Sequence, residues 1–196
     1  MTLVFATNND NKVREIRSML GDAFHIVTLQ EAGIDIDIPE PHDTLEANAL
    51  EKSATIHRMT GKNSFSEDTG LEIDALNGEP GVLSARYAGE QKSAEDNMTK
   101  VLQLLENQPN RKARFRTVIS LILEGQEYQF EGIAEGSILP ARKGGKGFGY
   151  DPIFQPEGST KAFAEMDLAE KNQFSHRGKA FRKLIDFLQQ QQHGKS

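Results

Sequence analysis

The sequence predicts an α/β fold in which helices flank one mixed β-sheet. Apolar strand segments and amphipathic helical segments alternate along all 196 residues, and neither type is confined to one part of the chain. A long hairpin is also indicated, because apolar residues alternate over 113–124, the chain turns at Gly125, and the pattern returns through Ile138. No internal repeat or linker separates these elements, so we expect a single domain over residues 1–196.

The first half of the sequence predicts four strands and two helices. The strands are predicted at residues 1–7, 24–29, 63–67 and 71–76. Apolar residues at helical spacing over 13–20 indicate the first helix. Asp43 and Glu46 have the spacing of a capping box, which would open a second helix that ends before Gly61. A tight turn at residues 68–70 is expected between the last two strands.

The second half adds two further helices around the long hairpin. Ser93 is predicted to cap the first of them. A glycine-rich loop over residues 144–149 follows the hairpin, outside the strand-to-helix context that a dinucleotide-binding loop requires. Ser175 is expected to cap the last helix and to place His176 and Arg177 in its first turn.

The composition excludes several classes of protein. The formal net charge of -6 argues against a general nucleic-acid binder, which is usually basic. No apolar run approaches the roughly 18 residues that span a bilayer, so we expect no membrane segment. The chain contains no cysteine, which excludes disulfides and thiolate catalysis and makes a cytoplasmic location the default expectation.

A turn rich in hydroxyl and amide groups follows the first strand and opens the first helix. It consists of Thr7, Asn8, Asn9, Asp10, Asn11 and Lys12. Backbone N–H groups and the helix dipole favour an anion at such a position, and the lysine adds a positive charge. An asparagine-rich turn with a helix N-cap explains the same residues equally well.

Glu67 and Asp68 are adjacent carboxylates at the end of a predicted strand. Mg²⁺ takes oxygen ligands, commonly one or two carboxylates together with substrate phosphates and waters. A carboxylate at such a site can also deprotonate an attacking water. Glu40, between two prolines, is a second possible ligand. In isolation, a turn containing Asp68 and a solvated loop acid at Glu40 are the simpler interpretations.

Two segments of the second half carry groups suited to a nucleobase. Phe148 lies between glycines that would leave its ring face uncovered for stacking on a base, although an ordinary core position is equally compatible. Lys171 precedes the last helix, where its donors and those of His176 and Arg177 are suited to a carbonyl oxygen or a phosphate.

Together these segments resemble the inosine triphosphate pyrophosphatase family, and the matching stretches follow the family's order over nearly the whole chain. They are residues 6–9 with Lys12, then 44–49, 67–71, 80–89, 147–154, 164–166, 170–172 and 175–178. The resemblance implies a curved mixed sheet, two lobes around a central cleft, and a homodimer. It also implies Mg²⁺-dependent hydrolysis of inosine, deoxyinosine and xanthosine triphosphates to the monophosphate and pyrophosphate.

The resemblance further implies a role for each matched residue. Thr7 to Lys12 hold the phosphates, and Asp68 binds the metal and accepts a proton. Glu40 and Glu67 are further candidate metal ligands. The substrate-contacting residues that it implies are Thr69, Phe148, Gly149, Tyr150, Asp151, Lys171, His176 and Arg177. Two alternatives stay open, namely a related pyrophosphatase acting on modified pyrimidine nucleotides and a nucleotide-binding module without catalysis.

Overall fold

The computed structural model describes residues 1–20 and 24–194, which contain seven β-strands and five α-helices. The strands are β1 (Thr2–Phe5), β2 (His25–Thr28), β3 (Ser64–Ile73), β4 (Pro80–Gly81), β5 (Lys112–Leu123), β6 (Gln126–Ile138) and β7 (Phe154–Pro156). The helices are α1 (Asp10–Leu20), α2 (Leu45–Thr60), α3 (Ala94–Leu104), α4 (Leu168–Phe174) and α5 (His176–His193). None of the helices in the described ranges is long and apolar enough to cross a membrane.

The strands of the described residues form one sheet in the order β2-β1-β3-β5-β6-β7, with β4 paired to β3. β1 runs parallel to β2 and β3, whereas β4 on β3 and β7 on β6 are antiparallel. β5 and β6 are joined at Glu124 and Gly125, which have the positive φ values (52° and 80°) that a two-residue hairpin turn requires. The prediction of an α/β fold with a mixed sheet and flanking helices is therefore confirmed.

The chain divides into two compact units. The first unit contains Met1–Asp68, Thr117–Gly132 and Arg177–Ser196. The second unit contains Thr69–Arg116 and Ile133–His176. The expectation of one functional domain over the whole chain stays a prediction.

In the first unit, side chains cover β1 on both of its faces. Leu3 and Phe5 belong to an apolar cluster that also includes residues of α1 and α5. Val4 and Ala6 point the other way and pack in a cluster with Ile56 of α2. Burial of both faces explains why β1 is a continuous apolar run instead of an alternating one. The strand end that precedes the polar turn is therefore held firmly in the core.

In the second unit, aromatic rings make up much of the core. The ring of Phe115 on β5 lies 4.6 Å from that of Phe154 on β7 and 6.1 Å from that of Phe163, measured between ring centres. Met98 and Val101 of α3 belong to the same cluster. Aromatic pairs at these distances add to the stability that burial provides.

The predicted turn at residues 68–70 is wrong, because β3 continues from Ser64 to Ile73 without interruption. The turn was expected because adjacent carboxylates and a glycine favour exposed positions. In the structure Glu67 and Asp68 are buried, and cationic side chains lie against both of them. Charge compensation therefore allows an acidic pair inside a strand. The strand predicted over 71–76 also ends early, since Asp74–Leu76 form a 3-10 turn.

Two helix starts differ in detail from the prediction. Thr44 caps α2 in place of Asp43, because the Thr44 hydroxyl accepts a hydrogen bond from the backbone N–H of Ala47 at 3.1 Å. The last helix begins at His176 as expected, but Ser175 also ends the preceding helix α4, which the sequence pattern did not predict. A helix of 7 residues is too short for apolar periodicity to identify it.

Candidate active site

The candidate site residues fall into two sets, one in each unit. The first unit holds the turn at residues 7–12, together with Glu40, Glu67, Asp68 and Arg177. The second unit holds a set whose members come from β3, the glycine-rich loop and the α4 region. These are Thr69, Phe148, Gly149, Tyr150, Asp151, Lys171 and His176. The boundary between the units falls twice between neighbouring site residues, after Asp68 and after His176.

The polar turn after β1 forms a helix cap. The side-chain carbonyl of Asn9 accepts hydrogen bonds from the backbone N–H groups of Asn11 and Lys12, at 3.0 and 3.3 Å. The hydroxyl of Thr7 accepts from the N–H of Asn9 at 3.1 Å, and the amide of Asn8 donates to the carbonyl of Ile36. These bonds fix the backbone of the turn. Asp10 is the first residue of α1, and its role as a phosphate contact stays a prediction.

Lys12 projects from α1 toward β3 and meets Glu67. Its Nζ lies 2.6 Å from Oε1 of Glu67, and the lysine side chain is 15% exposed while that of the glutamate is fully buried. The cation that the sequence assigned to phosphate binding is therefore held by a carboxylate and still reaches the surface. An ammonium has three donors, so this contact leaves it able to bind an anion as well.

Glu67 is at the centre of a buried ion network. Nε and Nη2 of Arg177 donate to its two carboxylate oxygens at 2.6 and 3.2 Å. Nη1 of Arg177 donates to Glu15 of α1 at 2.6 Å. With Lys12 included, the network contains two cations and two anions, and the side chains of Glu15, Glu67 and Arg177 are almost completely buried. The network ties α1, β3 and the start of α5 together.

The pKa of Glu67 reflects these partners. Burial by itself would raise it, but Arg177 and Lys12 outweigh that effect and hold the pKa of this carboxyl well below its usual range. Glu67 is therefore ionised at neutral pH. The metal-ligand role expected of Glu67 stays a prediction, and these contacts give the carboxylate a second role that the sequence did not indicate.

Asp68 follows Glu67 on β3 in a different environment. It is 5% exposed, and its Oδ2 atom is buried without a hydrogen-bond partner among the described residues. Burial raises its pKa to about 6, and Glu40 acts in the same direction, while Lys52 opposes the shift. A buried carboxylate oxygen with unused acceptor capacity is the feature that a metal ligand or a proton acceptor needs.

Lys52 of α2 is a residue that sequence reasoning missed. Its Nζ donates to Oε1 of Glu40 at 2.9 Å and to the backbone carbonyl of Glu67 at 2.7 Å, and it lies 4.0 Å from Oδ1 of Asp68. Its position in the sequence could have predicted its burial, because Lys52 falls on the same buried face of α2 as Ala49 and Ile56. A lysine on an apolar helix face needs a buried partner, and here the partners are the candidate metal ligands.

The residues present fit a metal that brings other ligands with it. Among the described residues, no group of three or more histidine, aspartate or glutamate side chains could hold a metal ion. Asp68 offers an unused buried oxygen, and Lys52 contacts both Asp68 and a second carboxylate, that of Glu40. Mg²⁺ commonly takes one or two protein carboxylates and completes its shell with phosphate oxygens and waters. This donor set is compatible with that mode of binding.

In the second unit, Asp151 organises the glycine-rich loop. Its Oδ2 accepts from the backbone N–H of Phe148 at 3.0 Å and from Nζ of Lys171 at 2.6 Å. A Cβ atom on Gly147 would lie 2.1 Å from the same oxygen, and φ at this glycine is +73°, so a larger residue does not fit there. The ammonium of Lys171 also lies 4.9 Å from the centre of the Phe148 ring. Aromatic ring, carboxylate and ammonium thus form one compact group.

The remaining residues of this set lie close to the aromatic core. Tyr150 is buried and donates its hydroxyl hydrogen to the carbonyl of Ser84 at 2.6 Å, and burial raises its pKa. The ring of His176 stacks on Phe115 with 4.6 Å between the ring centres. Gly149 has a φ of +60°, and Thr69 is half-buried on β3. Their roles as substrate contacts stay predictions.

Comparisons with known proteins cover nearly the whole chain. The profile of the Ham1 family matches residues 3–187. A dITP/XTP pyrophosphatase from Flavobacterium johnsoniae is 55% identical over 188 residues, which cover 96% of this chain and 98% of that protein. One from Porphyromonas gingivalis is 51% identical over 187 residues, covering 95% and 96%. The solved structure of the Staphylococcus aureus Ham1 protein has a TM-score of 0.88 and 38% identity, with 97% of this chain and 100% of that chain covered.

The fold and the two residue sets define an α/β protein with an acidic centre, formed by Glu40, Glu67 and Asp68, and an aromatic and cationic group, formed by Phe148, Asp151 and Lys171. The extent of the matches identifies its relatives, and the chain belongs to the Ham1 family. The resemblance that the sequence motifs indicated is thereby confirmed.

Proposed function

We propose that this protein hydrolyses non-standard purine nucleoside triphosphates, namely ITP, dITP and XTP, to the nucleoside monophosphate and pyrophosphate. The observation that carries the proposal is Asp68, whose Oδ2 atom is buried without a hydrogen-bond partner among the described residues and whose Oδ1 atom lies 4.0 Å from Nζ of Lys52, the lysine that pairs with Glu40. The relatives named dITP/XTP pyrophosphatase support the choice of substrate. In a cell, such an activity removes damaged purines from the nucleotide pool.

The reaction is an in-line attack of water on the α-phosphorus. The new P–O bond forms as the bond to the bridging oxygen breaks, and pyrophosphate leaves. A pKa of about 6 leaves most Asp68 carboxyls ionised at neutral pH, so this group accepts the proton of the attacking water. When bound, Mg²⁺ supplies positive charge that neutralises the phosphate oxygens as the transition state forms.

The polar turn after β1 and Lys12 bind the phosphates. Lys12 contributes a positive charge that Glu67 holds in place at 2.6 Å. Because the network of Glu67, Arg177 and Glu15 is buried, Lys12 has few alternative positions and needs little reorganisation when the substrate binds. Glu67 and Arg177 therefore act as positioning residues for the phosphate site.

The second set binds the base. The Phe148 ring stacks on the purine, and Lys171 together with His176 donates hydrogen bonds to the 6-keto oxygen of hypoxanthine or xanthine. Adenine carries a 6-amino group at that position, so the donors of Lys171 and His176 would face the N–H donors of the base. Each mispaired buried polar group costs about 1–3 kcal/mol, or roughly 10-fold per 1.4 kcal/mol. This selection disfavours ATP but does not by itself exclude GTP, which also has a 6-keto oxygen.

We expect the enzyme to be a cytoplasmic homodimer that binds neither nucleic acid nor membranes. The net charge of -6 supports the exclusion of nucleic acid. Light scattering coupled to size-exclusion chromatography tests the dimer directly, because a single chain has a mass of 21.8 kDa.

The function is tested by measuring pyrophosphate release from ITP, XTP, GTP, ATP and a modified pyrimidine triphosphate in parallel, with and without Mg²⁺. We expect release from ITP and XTP that requires the metal, and much slower release from ATP. Equal rates on ITP, XTP, GTP and ATP would exclude the proposed specificity. Preference for the pyrimidine would instead identify a related pyrophosphatase, and binding without release would identify a non-catalytic module.

A further inference from the structure

Lys52 lies beside both candidate metal ligands, Glu40 and Asp68. Its side chain is 8% exposed, and its ammonium contacts Glu40 at 2.9 Å and lies 4.0 Å from Asp68. A further hydrogen bond to the backbone carbonyl of Glu67, at 2.7 Å, anchors the ammonium to β3. The lysine is therefore a fixed part of the acidic centre.

The charge balance around this lysine is set by its neighbours. Glu67 is already neutralised by Arg177 and Lys12, which belong to the separate buried network with Glu15. Lys52 pairs with Glu40 and is the largest cationic influence on Asp68, with Lys12 contributing less, so these two carboxylates and the ammonium of Lys52 carry one net negative charge. A divalent cation held by Glu40 and Asp68 would be repelled by the buried ammonium of Lys52, in surroundings that screen charge poorly.

We propose that Lys52 prevents the Glu40–Asp68 pair from binding a divalent cation in the absence of nucleotide, so that the metal enters together with the triphosphate. The triphosphate brings the additional negative charge that allows both cations to be present at once. The inference rests on the proposed function in taking Glu40 and Asp68 as the metal ligands. It goes further by giving Lys52 control over when the site accepts the metal.

The test is a titration of the full chain with Mn²⁺ in the absence of nucleotide, following the loss of the free-ion signal by electron paramagnetic resonance. Mn²⁺ takes the same hard oxygen ligands as Mg²⁺. We expect wild-type protein to bind Mn²⁺ weakly and Lys52→Met to bind it at least about tenfold more tightly, a difference of about 1.4 kcal/mol. Lys62→Met, which removes an exposed lysine just beyond the same helix, should match wild type.

Further titrations test whether the change in Mn²⁺ affinity arises at Asp68, and they do not depend on catalysis. Adding a non-hydrolysable ITP analogue should raise the Mn²⁺ affinity of wild type, and Asp68→Asn combined with Lys52→Met should remove the gain of the single variant. If Lys52→Met does not fold, Lys52→Gln keeps a neutral donor and serves in its place. Equal or weaker Mn²⁺ binding by the lysine variant would overturn the inference. If the proposed function is wrong, the pyrophosphate-release assay will show no release, and the Mn²⁺ titration can still be interpreted.

Discussion

The guanidinium of Arg177 donates two hydrogen bonds to the carboxylate of Glu67, from Nε and Nη2, although the two residues are 110 positions apart in the sequence. Paired hydrogen bonds of this kind fix direction as well as distance. They lock the first turn of α5 to the centre of β3, and the same carboxylate holds Lys12. One glutamate therefore links the start of the last helix to the residue that we assign to phosphate binding.

The first prediction concerns the stability of that buried pair. Replacing Arg177 by methionine removes the bidentate cation from Glu67 and leaves that buried carboxylate charged, with Lys12 as a remaining cationic partner, so we expect the free energy of unfolding to fall by about 3–5 kcal/mol. Urea denaturation followed by circular dichroism measures the change. Glu31→Gln is the matched control, because it breaks an ion pair with Arg17 whose two side chains are nearly half exposed. We expect that control to leave the unfolding free energy unchanged, and comparable losses in both variants would contradict the account.

The second prediction concerns the pH dependence of stability. The pKa of Glu67 is lower in the folded chain than its ordinary value of 4.5, so its contribution to stability is complete above that pH and is lost as the pH falls below it. The free energy of unfolding of wild type should therefore decrease below about pH 5. Glu67→Gln has no such group to protonate, so its free energy of unfolding should decrease less at acidic pH. The same pH dependence in both proteins would contradict a lowered pKa of Glu67 in the folded chain.

The third prediction concerns base selection by Lys171. Lys171→Met removes a buried donor that Asp151 holds at 2.6 Å, and we expect kcat/KM for ITP to fall about 10- to 100-fold while that for ATP changes little. The ratio of the two values is the measurement. Lys161→Met is the control, since this lysine is exposed and pairs with Glu170 on the surface. An unchanged ITP-to-ATP ratio in Lys171→Met would remove the lysine from base recognition.

The fourth prediction separates stacking from hydrogen bonding. Phe148→Leu keeps an apolar side chain but loses the aromatic face, which is worth roughly 1–3 kcal/mol per stacked base. We expect kcat/KM to fall for ITP, XTP and ATP by similar factors, because every purine offers a ring face. Phe174→Leu, a partly buried phenylalanine that packs on the core of the second unit, is a suitable control. A loss confined to ITP would show that Phe148 acts in selection and not in stacking.

Local patterns in the sequence were sufficient to predict most of the fold. The apolar run of β1 predicted a strand and the spacing of apolar residues in α1 predicted a helix, because each element buries a regular set of side chains. The turn between β5 and β6 was also found, since Gly125 supplies the positive φ that the hairpin needs. Asp68 was predicted as a metal ligand and proton acceptor from its motif, and that role stays a prediction, while the structure shows that the residue is buried.

Contacts between distant residues were the part that the sequence did not indicate. Where β3 passes through Glu67 and Asp68 it is contacted by Lys52, which lies 16 positions before Asp68 on another element. Glu15 and Arg177 are 162 positions apart, and nothing in their own neighbourhoods predicts that they pair. A charged residue in a local pattern is expected to face solvent, and only tertiary structure supplies the partner that allows its burial.

The most direct test of the central claim is hydrolysis of ITP in ¹⁸O-labelled water, with mass analysis of both products. Attack of water on the α-phosphorus places the label in inosine monophosphate and leaves pyrophosphate unlabelled. We expect that result for wild type, and loss of turnover by about 10²–10⁴-fold in Asp68→Asn, the range attributed to a positioned proton acceptor. Label in pyrophosphate, or in released phosphate, with unlabelled inosine monophosphate would contradict the account.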